Sequence, residues 1–318
     1  MMAESPRISV VIASFNSMRT ITQCLDSIRD QDHPSYEVIV VDDGSTDGSP
    51  EICRSYPMVR LIRLDRGGPS RARNKGIEEA RGEFIAFTDS DCIVRKDWLR
   101  ELERGFLEEA VAGVGGDQVS PKDESEFGRS VQEFFRAVGF FTDYINLEKT
   151  IGETRHNPSC NVAYRKKVLE EVGGFEEDQF PCEDLEIDLK IRRRGYRLMF
   201  NPDAVVAHFR PRSYRAFTRM MSRYGSGEWH LWRKHGFFRK LDYEPWAFSL
   251  CVVIAVTLLF SNPSLLPLFF TPFPIAWGGF YLKRKDIAMS RRLAILFFLT
   301  LIFWNWGFFT GFRYRPGA

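Results

Sequence analysis

Two aspartates that stand two positions apart, Asp89 and Asp91, come just after the apolar run Phe84–Phe87. Carboxylates at i and i+2 behind a buried strand can face one hard cation together. Mg²⁺ or Mn²⁺ is usually held by one or two carboxylates and by the oxygens of a bound phosphate. A helix cap ahead of residues 97–109 is the alternative, but it does not account for two acids at the end of a strand. The pair therefore predicts a divalent metal site.

A second acidic pair, Asp42 and Asp43, ends the apolar run Tyr36–Val41 and precedes Gly44. Such carboxylates accept hydrogen bonds from the N–H of a nucleobase or from ribose hydroxyls. A glycine beside them lets the backbone turn close to a ligand. A plain Asx turn at the end of a strand uses the same residues, so both interpretations stay open for this segment alone.

A third acidic pair, Glu183 and Asp184, precedes a helical pattern marked by Leu185 and Leu189. The dipole of a helix favours carboxylates in its first turn. One of the two acids is therefore a candidate to accept a proton from an acceptor hydroxyl. Ordinary enrichment of acids in a first helical turn is the alternative.

Basic residues complement these acids in the segment 66–74, which leads from a glycine-containing loop into a helix. Helix N-termini and guanidinium groups both hold anions. The segment is not a Walker loop, because GxxxxGK[ST] does not occur, and no GxGxxG follows the first apolar run. Kinase-like P-loop chemistry and nicotinamide chemistry are therefore poorly supported.

The elements that must position these residues alternate between strand and helix. Strands are predicted over Ile8–Ile12, Tyr36–Val41, Val59–Leu64 and Glu83–Thr88, and helices over Met18–Gln31, from Pro50, over Ser70–Arg81 and over Asp97–Glu109. This alternation predicts an α/β fold with a Rossmann-like, mostly parallel sheet and flanking helices. Ligands bind beyond the carboxyl ends of such strands, which is where the acids fall.

Composition narrows the classes of protein further. The 318 residues hold 44 Lys and Arg against 42 Asp and Glu, a balance that argues against a nucleic-acid partner. The six cysteines occur without a CxxC pair, which suggests neither a zinc site nor a disulfide framework. A reducing compartment that faces the cytoplasm fits best.

The C-terminal part of the sequence is apolar enough to enter a membrane. Residues 246–282 and 293–312 contain no charged residue, and one crossing needs about 20 helical residues. The segment Ser261–Ser264 offers a turn, so 246–282 is expected to form a hairpin, kinked or partly re-entrant at its prolines, and 293–312 a third helix. A buried core helix is the alternative.

Charge predicts how these helices are oriented. The basic loop 283–292 is expected in the cytoplasm by the positive-inside rule. A hairpin would bring the N-terminal part to the same side, and the polar start of the sequence predicts no signal peptide. Residues 210–240 hold nine Lys and Arg, one acid and several aromatic rings, which favours a position among lipid headgroups. A solvated basic face is the alternative.

In this order and spacing the motifs resemble those of family 2 glycosyltransferases with the GT-A fold, over about residues 7–210. The segments that carry the resemblance are Ser9-Val10-Val11-Ile12-Ala13-Ser14-Phe15-Asn16, Val41–Asp47, Arg71–Gly76, Asp89–Asp91, Gly173-Gly174-Phe175 and Glu183-Asp184. The resemblance implies a GT-A domain over 1–209, with a nucleotide-sugar half over about 1–115 and an acceptor half over about 116–209. An interfacial segment over 210–245 and a membrane region over 246–318 would follow.

The resemblance also implies roles for individual residues. The donor would be a UDP- or GDP-linked sugar, the cofactor Mn²⁺ or Mg²⁺, and the transfer inverting. Nucleotide-sugar binding falls to Ser14, Asn16, Asp43, Arg71 and Asp89, metal binding to Asp89, Asp91 and His208, and the role of general base to Asp184, with Glu183 beside it as the second choice.

Several acceptors fit this resemblance. No Q-x-x-R-W segment, typical of processive members, occurs, so one sugar per binding event is expected. The leading hypothesis is a multi-pass enzyme of the cell membrane, in contact with membrane lipid, that modifies a lipid-linked or cell-surface glycan on the cytoplasmic face. The alternatives are a polyprenyl-phosphate glycosyltransferase and a non-catalytic membrane scaffold. Loop 117–160, with Phe134-Phe135 and Phe140-Phe141, is expected to line an acceptor groove, to pack internally or to form an amphipathic helix that faces the membrane.

Overall fold

The structure is a computed structural model that describes residues 5–138 and 150–313. The described residues divide into two compact units. The N-terminal unit comprises residues 5–123 and 150–209, and the C-terminal unit comprises residues 124–138 and 210–313.

The N-terminal unit is built on a single sheet. The strands found in the described residues are β1 (Ile8–Ser14), β2 (Tyr36–Asp43), β3 (Val59–Leu64), β4 (Phe84–Asp89), β5 (Cys92–Val94), β6 (Val111–Val119), β7 (Gly152–Thr154), β8 (Val162–Arg165) and β9 (Arg197–His208). Their order is β3-β2-β1-β4-β8-β6-β9-β5, and β7 pairs with β9.

Most of these strands run in one direction. β1 is parallel to β2 and β4, β2 to β3, and β6 to β9. The short strands β5, β7 and β8 are antiparallel to their neighbours. This mostly parallel α/β sheet confirms the predicted fold class.

Helices flank the sheet in the N-terminal unit, and further helices make up the C-terminal unit. Those of the described residues are α1 (Ile21–Arg29), α2 (Ser49–Arg54), α3 (Pro69–Glu79), α4 (Trp98–Arg104), α5 (Glu126–Val138), α6 (Lys166–Glu171), α7 (Glu183–Arg193), α8 (Tyr214–His235), α9 (Glu244–Ser261), α10 (Leu266–Phe269), α11 (Pro272–Arg284) and α12 (Ile287–Thr310).

Side-chain alternation along the strands builds a core on both faces of the sheet. On β1, Val10 and Ile12 belong to one buried cluster and Val11 to the other. Because successive side chains of a strand point to opposite faces, a strand with apolar residues at every position must be covered on both sides. Both faces of the sheet are therefore covered by apolar packing. Side chains that can meet a ligand lie at the strand ends and in the loops.

The C-terminal unit contains three helical segments that are long enough and apolar enough to cross a membrane. They span Lys240–Ser261, Pro263–Arg284 and Ile287–Arg313. The first two are separated at Asn262, whose side chain accepts a hydrogen bond from the Ser264 N–H at 3.2 Å. The break falls at the turn that the sequence predicts.

Helix α8 packs against α12 inside this unit at two glycines. A Cβ atom at Gly225 would lie 1.9 Å from the carbonyl oxygen of Trp304, and one at Gly307 would lie 1.9 Å from that of Ser222. The Ser226 hydroxyl also donates to the Gly307 carbonyl at 3.3 Å. The two backbones therefore approach more closely than any larger residue would allow.

The aromatic pair Phe134-Phe135 lies in α5 and is buried. Both rings lie close to Phe217 of α8, at centroid distances of 6.0 and 6.3 Å. They pack within the C-terminal unit and do not line an open groove. Phe140-Phe141 lie outside the described residues.

Candidate active site

The carboxylates of Asp89 and Asp91 and the imidazole of His208 form one group. Asp89 ends β4, Asp91 lies between β4 and β5, and His208 ends β9. One ligand atom from each lies within 4.8 Å of the other two, and the His208 Nε2 is 3.5 Å from Asp91 Oδ1. The register pairs Cys92 of β5 with His208 of β9. The β5–β9 pairing therefore brings His208 close to the acids, and its role as a metal ligand stays a prediction.

The donor set of this group fits a hard divalent cation. Carboxylate oxygens suit Mg²⁺ and Mn²⁺, and such ions commonly complete their shells with water and substrate phosphate. The side chains of Asp89 and Asp91 are 29% and 45% exposed. A phosphate from solvent can therefore reach an ion held here.

Arg73 is the principal residue that sequence reasoning missed. Its guanidinium, 5% exposed, donates to Asp89 Oδ1 at 3.0 Å and to Glu183 Oε1 at 2.6 Å. Burial acts to lower the pKa of Arg73, but the two carboxylates outweigh burial and raise that pKa above its ordinary value. Arg73 therefore joins the first acidic pair, at Asp89, to the third, at Glu183. Its signals in the sequence were membership of the basic segment 66–74 and of the segment Arg71–Gly76, which carries part of the family resemblance.

The adjacent acids Glu183 and Asp184 have different surroundings. Glu183 is buried against Arg73, and burial raises the pKa of its carboxyl while Arg73 opposes that effect. The Asp184 side chain is 22% exposed and accepts a hydrogen bond from the Leu185 N–H at 2.9 Å. Glu183 is thus committed to an ion pair, whereas Asp184 is open to solvent at the start of α7.

A buried network lies behind Asp184, and sequence reasoning did not anticipate it. The His156 Nε2 is 3.8 Å from Asp184 Oδ2, and its Nδ1 is 2.7 Å from Asp188 Oδ2. The Tyr164 hydroxyl donates to Asp188 Oδ1 at 2.7 Å, and the Asn157 N–H donates to Oδ2 at 2.7 Å. Burial raises the pKa of Asp188 from its ordinary 3.8 to about 8, although the Tyr164 hydrogen bond opposes this.

Asp43 is held by the glycine loop that follows β3. Its Oδ1 accepts from the Gly67 N–H at 2.8 Å, and its Oδ2 accepts from the Gly68 N–H at 2.9 Å and from Arg66 at 3.0 Å. Gly44, next to Asp43, has φ +76°, and a Cβ there would lie 2.9 Å from the Arg66 nitrogen. Asp43 therefore shapes the loop, and its predicted contact with a nucleobase stays a prediction.

Asn16 ties the loop after β1 to the loop after β2. Its side-chain oxygen accepts from the Thr46 N–H at 2.9 Å, and its own N–H donates to the Ser45 hydroxyl at 2.8 Å. Ser14 is buried, and its hydroxyl lies 2.7 Å from that of Ser17. Ser14 and Asn16, which are predicted to bind the nucleotide sugar, thus stabilise the loops at the ends of β1 and β2.

Two further residues flank these loops. The Phe15 ring is 40% exposed, and the Arg66 guanidinium stacks over it at 3.4 Å from the ring centroid. This flat pair was not among the predicted site residues.

Arg71, predicted to bind phosphate, donates to the Asp65 carbonyl oxygen at 3.2 Å and so lies over its own loop.

The fold and this site define a class: an α/β protein of the GT-A type, with its acidic groups gathered at the ends of a mostly parallel sheet. Residues 9–173 match the family described as Glycosyl transferase family 2. Glycosyltransferase AglE of Haloferax volcanii is 30% identical over 236 residues, which cover 71% of this chain and 74% of AglE. The chain therefore belongs to glycosyl transferase family 2, as its motifs predict.

Two other comparisons span almost the whole chain. A Methanococcus voltae protein named dolichyl N-acetyl-alpha-D-glucosaminyl phosphate 3-beta-D-2,3-diacetamido-2,3-dideoxy-beta-D-glucuronosyltransferase is 24% identical, over 96% of each chain. The structure of mannosyltransferase PcManGT from Pyrobaculum calidifontis in complex with GDP-Man and Mn²⁺ matches with a TM-score of 0.66 at 23% identity, over 94% of this chain and 88% of that one. This second likeness shows the fold.

The chain is thus a glycosyltransferase of family 2 type that acts on nucleotide sugars, followed by three helices with the length and composition of membrane spans. With other relatives it shares a shorter segment, between 17% and 44% of their length.

Proposed function

We propose that this protein is a metal-dependent, inverting glycosyltransferase held in the cell membrane with its N-terminal unit in the cytoplasm. It moves one sugar per binding event from a UDP- or GDP-linked donor to a hydroxyl group of a lipid-linked or cell-surface glycan. The observation that carries the proposal is the group of Asp89, Asp91 and His208, whose ligand atoms lie within 4.8 Å of one another.

Asp89, Asp91 and His208 would hold the Mn²⁺ or Mg²⁺ ion. When bound, such an ion acts as a Lewis acid that stabilises the charge on a leaving nucleotide diphosphate. Arg73 orients Asp89 through their 3.0 Å hydrogen bond. The loop that Asp43 and Asn16 brace would bind the nucleoside, with the Phe15–Arg66 pair as a flat surface beside it.

Asp184 would remove the proton from the attacking hydroxyl, because that hydroxyl is a poor nucleophile until a base takes its proton. Glu183, the preceding residue of α7, is already paired with Arg73 at 2.6 Å. His156 and Asp188 would keep the Asp184 carboxylate oriented from behind.

The acceptor class rests on the relatives and on the helices. The name of the Methanococcus voltae relative gives its substrate as a dolichyl phosphate that already carries a sugar. A hydroxyl of a lipid-linked sugar would be presented at a membrane surface. The three apolar segments of this chain would keep the enzyme at that surface.

The first test is calorimetric titration of the full chain in detergent with UDP and with GDP, in Mn²⁺ and then in excess chelator. We expect one nucleotide to bind only with the metal. Asp91→Asn should weaken this binding at least tenfold, whereas Asp203→Asn, at an exposed aspartate elsewhere on the unit, should not. Absence of metal-dependent binding in folded protein would overturn the proposal and favour the non-catalytic scaffold.

The second test identifies the acceptor group. With a hydroxyl acceptor, Asp184→Asn should lower kcat by about 10²- to 10⁴-fold, the usual contribution of a general base. Asp178→Asn, at an exposed aspartate outside the site, is the control. A polyprenyl phosphate is already anionic and needs no base. An Asp184→Asn variant that keeps its rate would therefore replace the hydroxyl acceptor by the lipid phosphate.

A further inference from the structure

A second group of metal-binding side chains lies directly beside the acidic one. The sulfur atoms of Cys92 and Cys160 and a ring nitrogen of His208 lie within 4.8 Å of one another. Both cysteines carry free thiols and are buried, whereas the His208 side chain is 19% exposed. The two thiols of the group are therefore buried, and its third side chain, that of His208, reaches solvent.

Rigid parts of the sheet hold these three residues. Cys92 and His208 are register partners in the β5–β9 ladder. Cys160 precedes Asn161, whose side chain donates to the carbonyl oxygens of Asp117 and Ala204 at 2.9 and 2.8 Å. The Asn161 side-chain oxygen in turn accepts from the indole N–H of Trp98 at 2.7 Å. Little ordering would be needed for the three ligands to meet one ion.

The chemistry of this group differs from that of its neighbour. Thiolates and imidazole prefer Zn²⁺ and similar soft or borderline ions, whereas the carboxylates of Asp89 and Asp91 prefer Mg²⁺ or Mn²⁺. Ligands at about 2.0–2.3 Å from a tetrahedral ion lie about 3.3–3.8 Å apart, so a side-chain shift of about 1 Å closes the site. His208 belongs to both ligand sets.

We propose that Cys92, Cys160 and His208 form a second metal site, selective for Zn²⁺ or another thiolate-binding divalent ion. Filling it turns His208 away from the Asp89–Asp91 pair and inhibits the enzyme. The inhibition rests on the proposed function, because it requires His208 to serve the catalytic cation. The binding of a soft metal does not, so the two are measured separately.

The binding test uses Cd²⁺ as the probe. The full chain in detergent with a phosphine reductant is titrated while the ultraviolet thiolate-to-metal charge-transfer absorption is recorded. We expect one Cd²⁺ per chain, with affinity reduced at least tenfold by Cys160→Ala. The matched control is Cys53→Ala, a buried thiol of the same core cluster that is not part of this group, and it should leave the titration unchanged. Absence of thiolate absorption in folded wild-type protein, or a titration that Cys160→Ala leaves intact, would overturn the site.

The inhibition test measures sugar transfer in Mn²⁺ against rising Zn²⁺. Wild-type and Cys53→Ala should be inhibited alike, and Cys160→Ala should retain Mn²⁺-dependent activity with at least tenfold less sensitivity to Zn²⁺. Equal sensitivity of all three would refute the inhibitory role. Failure of the proposed function itself would appear differently, as absence of Mn²⁺-dependent transfer in every variant while Cd²⁺ still binds the wild type.

Discussion

Arg73 orders two carboxylates that have different tasks. Glu183 is buried and committed to the ion pair, whereas Asp89 is partly exposed and belongs to the proposed metal site. One guanidinium has two donor edges and can hold both acids at fixed positions, which a lysine ammonium does less well. The arginine therefore connects the proposed metal site at Asp89 to the start of α7, where the proposed general base lies.

Arg73→Met should destabilise the protein strongly, because it leaves Glu183 buried without its cation. Breaking a buried ion pair on one side costs about 3–5 kcal/mol. Thermal unfolding of the full chain in detergent measures the loss, and the affinity for Mn²⁺ should fall as well. Arg71→Met is the control for stability and should stay within about 0.5 kcal/mol of wild type. Equal unfolding midpoints for the two variants would contradict the role of Arg73.

Asp188 should make stability depend on pH. Its pKa is raised by burial from 3.8 to about 8, so the folded state binds more protons than the unfolded state between those values. The free energy of unfolding therefore falls as pH rises from about 4 to about 8. Asp188→Asn should flatten this slope in thermal unfolding measured at several pH values.

The control for this prediction is His156→Gln, which removes the imidazole that contacts Asp188 but keeps the buried carboxyl. We expect the slope to persist in that variant. A wild-type slope no steeper than that of Asp188→Asn would show that the Asp188 carboxyl is not the group that titrates.

Helices α8 and α12 illustrate how one pair of small residues determines a packing contact. The segment Ile287–Arg313, which contains α12, is long enough and apolar enough to cross a membrane. Yet 44% of its most apolar stretch is buried, against 6% for Lys240–Ser261. Gly225 and Gly307 contribute to this burial, because they let the backbones of α8 and α12 touch. Hydrophobicity alone predicts the span but not its neighbour.

Gly307→Ala should weaken this contact, since its methyl group would meet the Ser222 carbonyl. Overpacking of this kind costs about 1–3 kcal/mol, measured as a lower unfolding midpoint in detergent. Gly279→Ala in α11 is the matched control, because among the described residues nothing lies within 4 Å of its added Cβ. It should be neutral or raise stability by up to about 1 kcal/mol, as alanine favours helix. Equal effects of the two changes would contradict close packing at Gly307.

The orientation of the whole molecule in a membrane is predicted from the basic residues next to its three apolar segments. The basic residues of 283–292 lie at the end of the second segment, in the break before the third and in the first two turns of the third. The positive-inside rule predicts that they stay in the cytoplasm. The turn at Asn262 would then be on the opposite side.

Single added cysteines test this arrangement in a background with Cys182→Ser and Cys251→Ser, which removes the two native thiols that are not buried. Lys283→Cys should react with an impermeant maleimide only from the cytoplasmic face, and Asn262→Cys only from the opposite face. Inside-out and right-side-out vesicles provide the two faces. Reaction of both cysteines from the same face would mean that residues 246–282 re-enter the membrane without crossing it.

Local patterns in the sequence predicted much of this protein. Strand alternation and helical stripes are short-range, so β1 to β4 and α1 to α4 were predictable close to their true positions. Because parallel strands end at one edge of a sheet, the position of Asp89 and Asp91 at that edge was predictable from the sequence as well. The order and spacing of the motifs pointed to the family.

Contacts between distant segments were not predictable in the same way. Nothing in the spacing of 66–74 distinguishes Arg73, which reaches Asp89 and Glu183, from Arg71, which does not. The thiol of Cys160 meets Cys92 and His208 only because the sheet order places β8, β6, β9 and β5 side by side. Local periodicity determines which face a side chain takes along its own strand or helix. Only long-range strand order and packing decide which side chains from separate segments share a site.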